Sequence, residues 1–361
     1  MPYLLTYFIL LLVYSSKTLA VKKIHYILMF LLILLFYGLR QDVGWDWYNY
    51  QNAFYHHIKF HDIGFNFLQN IFFDISPHYA TWQFFLAFLS MYILLKNSKQ
   101  YSNDRQNLSL LIFFSIAMFA YFAILRQALA ISIFYYSLID IREKRFKSYF
   151  IKILLASLIH ISLALAFPLY WILNRRFKLK YFLLLFFVSN LIYLLKINII
   201  KYVIILTTYI DFFSNNIMVS YAQNSISVTS KYLYFAQTFI VLFCIIYYSK
   251  LINKRYFCIF FNLYFLGYII RILLFTNYIF SGRVSEIFLI SQTFLIPIVI
   301  ATFKKKTQSA LVTILILYLL ISVIVYGKIF NYSGYNILLK YQSYICNNQN
   351  LINKKMKYIN K

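Results

Sequence analysis

The chain has 361 residues, 62% hydrophobic and only 12% charged, with a mean hydropathy of +0.69. A soluble domain carries roughly 25% charged residues, so the composition excludes an ordinary water-soluble enzyme and predicts an all-α, polytopic membrane protein. A net charge of +26 would suggest nucleic acid in a soluble protein, but here Lys and Arg lie between apolar runs, where they set orientation; no nucleic-acid partner is expected.

The first apolar run, 3–16, is followed by Lys17, Lys22 and Lys23 with no small-residue cleavage site, and reads as a retained span. Further runs fall near 24–39, 79–95, 108–125, 127–141, 149–173, 181–195, 231–249, 256–276, 284–303 and 308–326. Five connections are basic: Lys17–Lys23, Lys96–Arg105, Arg142–Lys147, Lys250–Arg255 and Lys304–Lys306. Basic connections stay in the cytoplasm. The long loop Arg40–His78, the corner at Arg126, the stretch Lys196–Ser230 and the connection Thr276–Arg283 then fall on the outer side.

The connection Asn174–Lys180 conflicts with itself. Its four basic residues place it inside, whereas 149–173 read as one span of ~37 Å places it outside. Either 149–173 is a broken hairpin, or it is one span and 196–213 adds a short further one. Two half-length helices need shelter from lipid, which favours the single span, roughly twelve crossings, and both termini outside. With no internal repeat and no soluble segment, residues 1–361 form a single transmembrane domain. Cys244, Cys258 and Cys346 show no paired spacing, so neither a disulfide framework nor a metal knuckle is expected.

Three outer constellations carry chemistry. Arg40-Gln41-Asp42-Val43-Gly44-Trp45-Asp46-Trp47-Tyr48-Asn49-Tyr50 gathers two of the nine acidic residues with four aromatics. An interfacial aromatic belt explains Trp and Tyr but not Arg40, Asp42 and Asp46; aromatic faces with carboxylates suit a sugar. Downstream, His57, His61 and Asp62 permit a metal site, but the segment lacks a metal-binding context and reads better as an amphipathic surface stretch; no metal or other cofactor is expected. The second constellation is Arg126-Gln127, a charge between two spans with almost no loop, where a guanidinium fork suits phosphate. His160, alone in its apolar run, suits proton transfer or phosphate contact. The third constellation is Gly282-Arg283…Glu286, with Arg271 in the preceding span; Arg283 and Glu286 are spaced to pair with each other.

These residues resemble the EpsG-type polysaccharide polymerases, which include many O-antigen polymerases. The resemblance rests on Gly38-Leu39-Arg40, Gly44, Asp46, Trp47, Tyr50, Gly64-Phe65, Arg126-Gln127-Ala128-Leu129-Ala130, Ile159-His160-Ile161-Ser162, and Gly282-Arg283 running to Pro297. Trp47 stands where the family more often has Tyr, and Leu339-Lys340-Tyr341-Gln342-Ser343 replaces a Pro-Tyr-Lys-Ser-like stretch. The resemblance implies a multi-pass protein of the bacterial inner membrane with its active site toward the periplasm. It implies that a glycan on undecaprenyl pyrophosphate is transferred to a second lipid-linked repeat unit, and it allows a chain-length regulator protein as partner. On that reading Asp46, Arg126, His160 and Arg283 are catalytic. Arg40, Asp42, Gly44, Trp47, Tyr50, Gln127, Arg271 and Glu286 bind substrate. Asp46 is the best-placed base, with Asp42 second and Glu286 third, and Arg40 beside Asp46 keeps it ionised or binds phosphate. A lipid-linked oligosaccharide flippase is the main alternative, disfavoured by the absence of a repeat and by polar residues crowding at one face. A membrane acyltransferase lacks a companion for His25, and a passive assembly subunit has nothing in particular to support it.

Overall fold

An apolar run satisfies its own backbone hydrogen bonds away from water only by coiling, and the chain is helical almost throughout. The computed structural model describes residues 2–15, 22–44, 46–199, 231–329 and 342–343. From the N-terminus come α1 (Pro2–Ser15), α2 (Lys22–Gly38), the short surface helices α3 (Trp47–Tyr55) and α4 (Ile63–Ile75), and α5 (Tyr79–Tyr101). Next are α6 (Gln106–Ile112), a wider π turn, α7 (Met118–Ala123), α8 (Leu125–Arg142) and α9 (Phe146–Ile159). After a 3₁₀ segment (Ile161–Ala166) follow α10 (Leu169–Ile172) and α11 (Leu179–Leu194). The last group is α12 (Lys231–Ile246), α13 (Tyr248–Leu251), α14 (Phe257–Leu273), α15 (Tyr278–Leu289), α16 (Gln292–Ala301) and α17 (Lys305–Ile329). The one strand pair among the described residues joins β1 (Arg40–Gln41) antiparallel to β2 (Gln342–Ser343). The expected all-α class holds. The possible short span at 196–213 lies mostly outside the described residues, as do most of Lys17–Lys23, Trp45 and Cys346.

The bundle has an apolar core in which polar side chains are embedded, and an exterior that is also strongly apolar. Gln83, Asn97, Ser98, Ser132, Ser137 and Asp140 are buried, while Leu184, Phe187 and Leu191 on one face of α11 are 60%, 65% and 56% exposed. Ser90, Ser115 and Ser132 turn their hydroxyls onto the carbonyl four residues back, which satisfies them without water. Such an apolar exterior suits a hydrocarbon solvent, where the hydrophobic effect no longer drives helices together. Two helical stretches, Ser281–Ala301 and Lys305–Val325, are by length and composition sufficient to cross a membrane unaided; shorter apolar helices of 10–17 residues surround them.

Among the described residues, four of the basic connections meet at one end. Arg142 lies over the Tyr256 ring at 4.8 Å, Tyr101 packs edge-on to Tyr256, and Lys250 lies over Phe303 at 4.2 Å. Arg105 Nη2 donates to Gln308 Oε1 at 2.5 Å. Asn262 Nδ2 donates to the carbonyls of Leu173 and Arg175, and Tyr248 Oη to that of Phe177. The disputed connection 174–180 therefore sits with the other basic connections, as its charge indicated.

The preference for a single span over 149–173 is overturned. His160 is extended (φ −153°, ψ 111°) and ends α9, and the chain turns back along it. Tyr149 Oη donates to the Ala166 carbonyl at 2.6 Å, Phe146 packs on Tyr170 and Trp171, and Phe150 packs on Phe167. No Gly or Pro marks the break; the reason is tertiary. The Ile161 N–H donates to the carboxylate of Asp62, nearly a hundred residues earlier, which stands in for the helical acceptor. The two arms lean on each other through the contacts of Tyr149, Phe146 and Phe150.

Candidate functional site

The opposite end of the bundle holds the arginines singled out in the sequence. It is built first from the stretch after α2. Arg40 is fully buried and donates through Nη1 to the Tyr37 carbonyl (2.6 Å) and through Nε to that of Val43 (3.3 Å). Gln83 Nε2 donates to the carbonyls of Gly38 and Arg40, while its Oε1 accepts from Trp47 Nε1 at 2.8 Å. Asp42 (φ 54°) and Gly44 (φ 110°) take left-handed backbone in this tight turn, and at Gly44 only glycine does so without strain. Arg40 and Trp47 thus hold the turn rather than offering faces to a sugar, and Asp42 and Gly44 shape it. What the turn presents is Asp46, one-quarter exposed. Its ion pair is with Arg283 Nη2 at 3.5 Å, on α15, in place of the expected pairing with Arg40.

The second element is the corner between α7 and α8. Ile124 leaves helical geometry (φ −138°, ψ 77°), and Arg126 and Gln127 occupy the first turn of α8. Arg126 Nη1 donates to Asp62 Oδ2 at 2.5 Å and Nε to Tyr50 Oη at 3.4 Å. Its guanidinium lies 3.9 Å from the Phe60 ring centre, with Tyr50 and Phe65 at 5.6 and 5.8 Å, an aromatic cage that favours a cation. Asn66 clamps Phe60 in place through both its amide atoms, and Gln69 Nε2 donates to the Ala53 carbonyl. Burial raises the Tyr50 phenol above its ordinary value, against the lowering effect of Arg126, so it stays neutral.

Asp62 gathers the cluster. Its side chain is 3% exposed; Oδ2 faces Arg126 and His160 Nδ1 (3.3 Å), and Oδ1 accepts the Ile161 N–H (3.0 Å). Burial alone would raise this carboxyl, but it sits below its ordinary value. The His160 hydrogen bond, the Ile161 N–H and the charges of His160 and Arg126 together outweigh the desolvation. The sequence suggested Asp62 only as a neighbour of His57 and His61 in a metal site. Its carboxylate is instead committed to Arg126, His160 and Ile161, and His57 packs edge-on against Phe73. A carboxylate two residues before Gly64-Phe65 in a chain with nine acidic residues was the one signal that could have found it.

A third group lies along α14 and α15. Arg271 donates through Nε to Ser285 Oγ (2.9 Å) and through Nη2 to Glu286 Oε1 (2.5 Å), and Ser281 Oγ donates to the Arg271 carbonyl. Glu286 therefore pairs with Arg271 and not with Arg283 as its spacing suggested. Arg271, Glu286, Ser281, Gln237, Tyr193 and Tyr234 line a pocket here. The groups are joined at one point: Gln127 Nε2, next to Arg126, donates to the Arg283 carbonyl at 2.9 Å. One turn of α8 thus fixes Arg126 against Asp62 and His160, and Arg283 against Asp46. The arrangement offers an accessible carboxylate beside an exposed guanidinium, tied through Gln127 to the helix turn that carries Arg126.

Residues 23–343, most of the chain, match the family model described as EpsG family. No curated protein and no solved structure matches the chain.

Proposed function

We propose, on the premise that this chain belongs to the EpsG family, that it is a membrane glycosyltransferase joining lipid-linked oligosaccharide repeat units into a polysaccharide. Membership brings membrane association and a polymerase type of function; the substrate, the reaction geometry and the orientation are this reading's own. The carrier is a polyprenyl pyrophosphate of the undecaprenyl kind, and the protein is a multi-pass component of the bacterial inner membrane. The basic connections face the cytoplasm and the arginine end faces the periplasm. The polysaccharide is an O-antigen, capsule or exopolysaccharide.

The observation that carries the reading is the pairing of Asp46 with Arg283 next to the Arg126 corner. The acceptor hydroxyl oxygen bonds to the anomeric carbon of the donor glycan, and the bond from that carbon to the pyrophosphate oxygen breaks. The electron pair leaves with the pyrophosphate carrier, and the hydroxyl proton passes to Asp46. At 26% and 42% exposure, the Asp46 and Arg283 side chains are open enough to meet a substrate. Negative charge grows on the leaving pyrophosphate, where Arg283 and Arg126 stabilise it; His160 is poised to contact phosphate or carry a proton. Tyr50 and Gln127 support the arginines, while Arg271 and Glu286 bound the adjoining pocket.

Purified protein in liposomes, given lipid-linked repeat units and no ion gradient, should yield a ladder of lengthened glycans. Asp46→Asn should bind the repeat units and fail to lengthen them. Movement of repeat units across the bilayer without elongation would replace this reading with a flippase; near-normal elongation by Asp46→Asn would remove Asp46 as base.

A further inference from the structure

Asp62 plays no chemical part in the reaction above, yet it is the most heavily committed carboxylate at this end of the protein. A buried carboxylate is costly unless its oxygens are paired, and breaking such a pair strands the partner charge. Here the partners come from three separate elements: Arg126 at the start of α8, His160 at the apex of the α9 hairpin, and the Ile161 N–H just beyond it. Asp62 itself immediately precedes α4 on the surface loop. One oxygen builds the hairpin, and the other sets the direction of both Arg126 and His160. Arg126 is 19% exposed and His160 20%, so both reach the surface that Asp62 does not. The Phe60, Tyr50 and Phe65 rings surround the guanidinium and Tyr50 Oη accepts from Nε at 3.4 Å, while the carboxylate fixes Nη1 through a shorter, charge-assisted bond.

We infer that Asp62 is a positioning residue, which aims Arg126 and His160 at the pyrophosphate of the lipid-linked donor without touching it. The inference rests on the proposed role of Arg126 and His160. It also explains how a reactive histidine is carried at a helix break that no Gly or Pro marks.

A double-mutant cycle in the full chain tests it, with elongation of lipid-linked repeat units and thermal midpoint in detergent as readouts. Asp62→Asn keeps an acceptor for the Ile161 N–H and removes the charge. Arg126→Gln removes the guanidinium, and the double variant removes both buried charges together. Each single change should lower the elongation rate at least tenfold, and the double variant should be slower than Arg126→Gln by less than the Asp62→Asn factor, the remainder being the part that acts through His160. A double variant slower by the product of the two factors overturns the inference, because Asp62 would then act independently of Arg126. So does a wild-type rate for Asp62→Asn while Arg126→Gln is impaired. Full rates for both Arg126→Gln and His160→Ala would sink the proposed reaction roles, and the inference with them. If Asp62→Asn does not reach the membrane, Asp62→Glu serves. One methylene longer, it cannot hold both partners at once but keeps the buried charge, so the rate should again fall at least tenfold in protein that reaches the membrane, and a wild-type rate overturns the inference.

Discussion

Gly64 is where the site is most sensitive to a single methyl group. A Cβ there would lie 2.9 Å from both Cβ and the carbonyl oxygen of Leu158 and 3.0 Å from its carbonyl carbon, where ordinary contact begins at 3.4 Å. Two of those three atoms are backbone, so α4 must back away from α9 by about 0.5 Å, the gap between 2.9 and 3.4 Å. Asp62 stands two residues before Gly64, and its 3.0 Å bond to the Ile161 N–H would stretch toward the limit of a useful hydrogen bond. Overpacking of this kind costs about 1–3 kcal/mol, which lowers the folded-to-unfolded ratio by about 5- to 150-fold. Gly64→Ala should therefore lower the thermal midpoint in detergent and shorten the glycan ladder together. Gly282→Ala is the matched control for stability, though not for activity since it lines the pocket beside Arg271 and Glu286: nothing lies within 4 Å of its Cβ position, and it sits inside α15, where Ala is favoured by up to about 1 kcal/mol. Wild-type stability and ladder length in Gly64→Ala, or an equal fall in thermal midpoint from Gly282→Ala, would refute the argument that α4 is seated on the Leu158 carbonyl.

Arg126→Lys and Arg283→Lys should each lose most polymerisation although charge is kept, because a Lys ammonium cannot reproduce the planar bidentate fork of a guanidinium; full-length glycan from both variants would assign these residues to packing or topology. In cells with a permeabilised outer barrier, a membrane-impermeant thiol reagent should label Asn49→Cys but not Lys305→Cys, and the reverse result would invert the orientation. Because the Asp62 carboxyl is held below its ordinary value, its stabilising contribution is present above about pH 4 and is lost as pH falls through the lower, folded-state value. Stability of the wild type should thus fall more steeply on acidification than that of Asp62→Asn, and parallel curves would show that the carboxylate is not the titrating group.

Much of the architecture was legible because one solvent dictates it. Apolar runs and basic connections follow from hydrocarbon and from membrane potential, so the limits of α2, α5, α8, α14 and α17 fall within a few residues of the runs read from sequence. The charge of Arg175, Arg176, Lys178 and Lys180 also placed their connection at the basic end. Length argued the other way and misled, since 149–173 carries no breaker before Pro168, and nothing local distinguishes a 25-residue helix from two arms folded at His160.

The sequence by itself determined which residue types gather at the arginine end, since a charge in an apolar chain stands out wherever it lies. It did not determine their partners. Spacing paired Arg283 with Glu286 and Arg40 with Asp46, because local separation is all that spacing reports. The fold instead gives Asp46 to Arg283, Glu286 to Arg271, and buries Arg40 on the carbonyls of Tyr37 and Val43. Asp62 reaches Arg126 and His160 across 64 and 98 residues of chain. Contacts over such separations depend on which helices pack side by side. Only the tertiary structure decides that, because a buried charge settles wherever packing brings an opposite charge and a hydrogen bond to it.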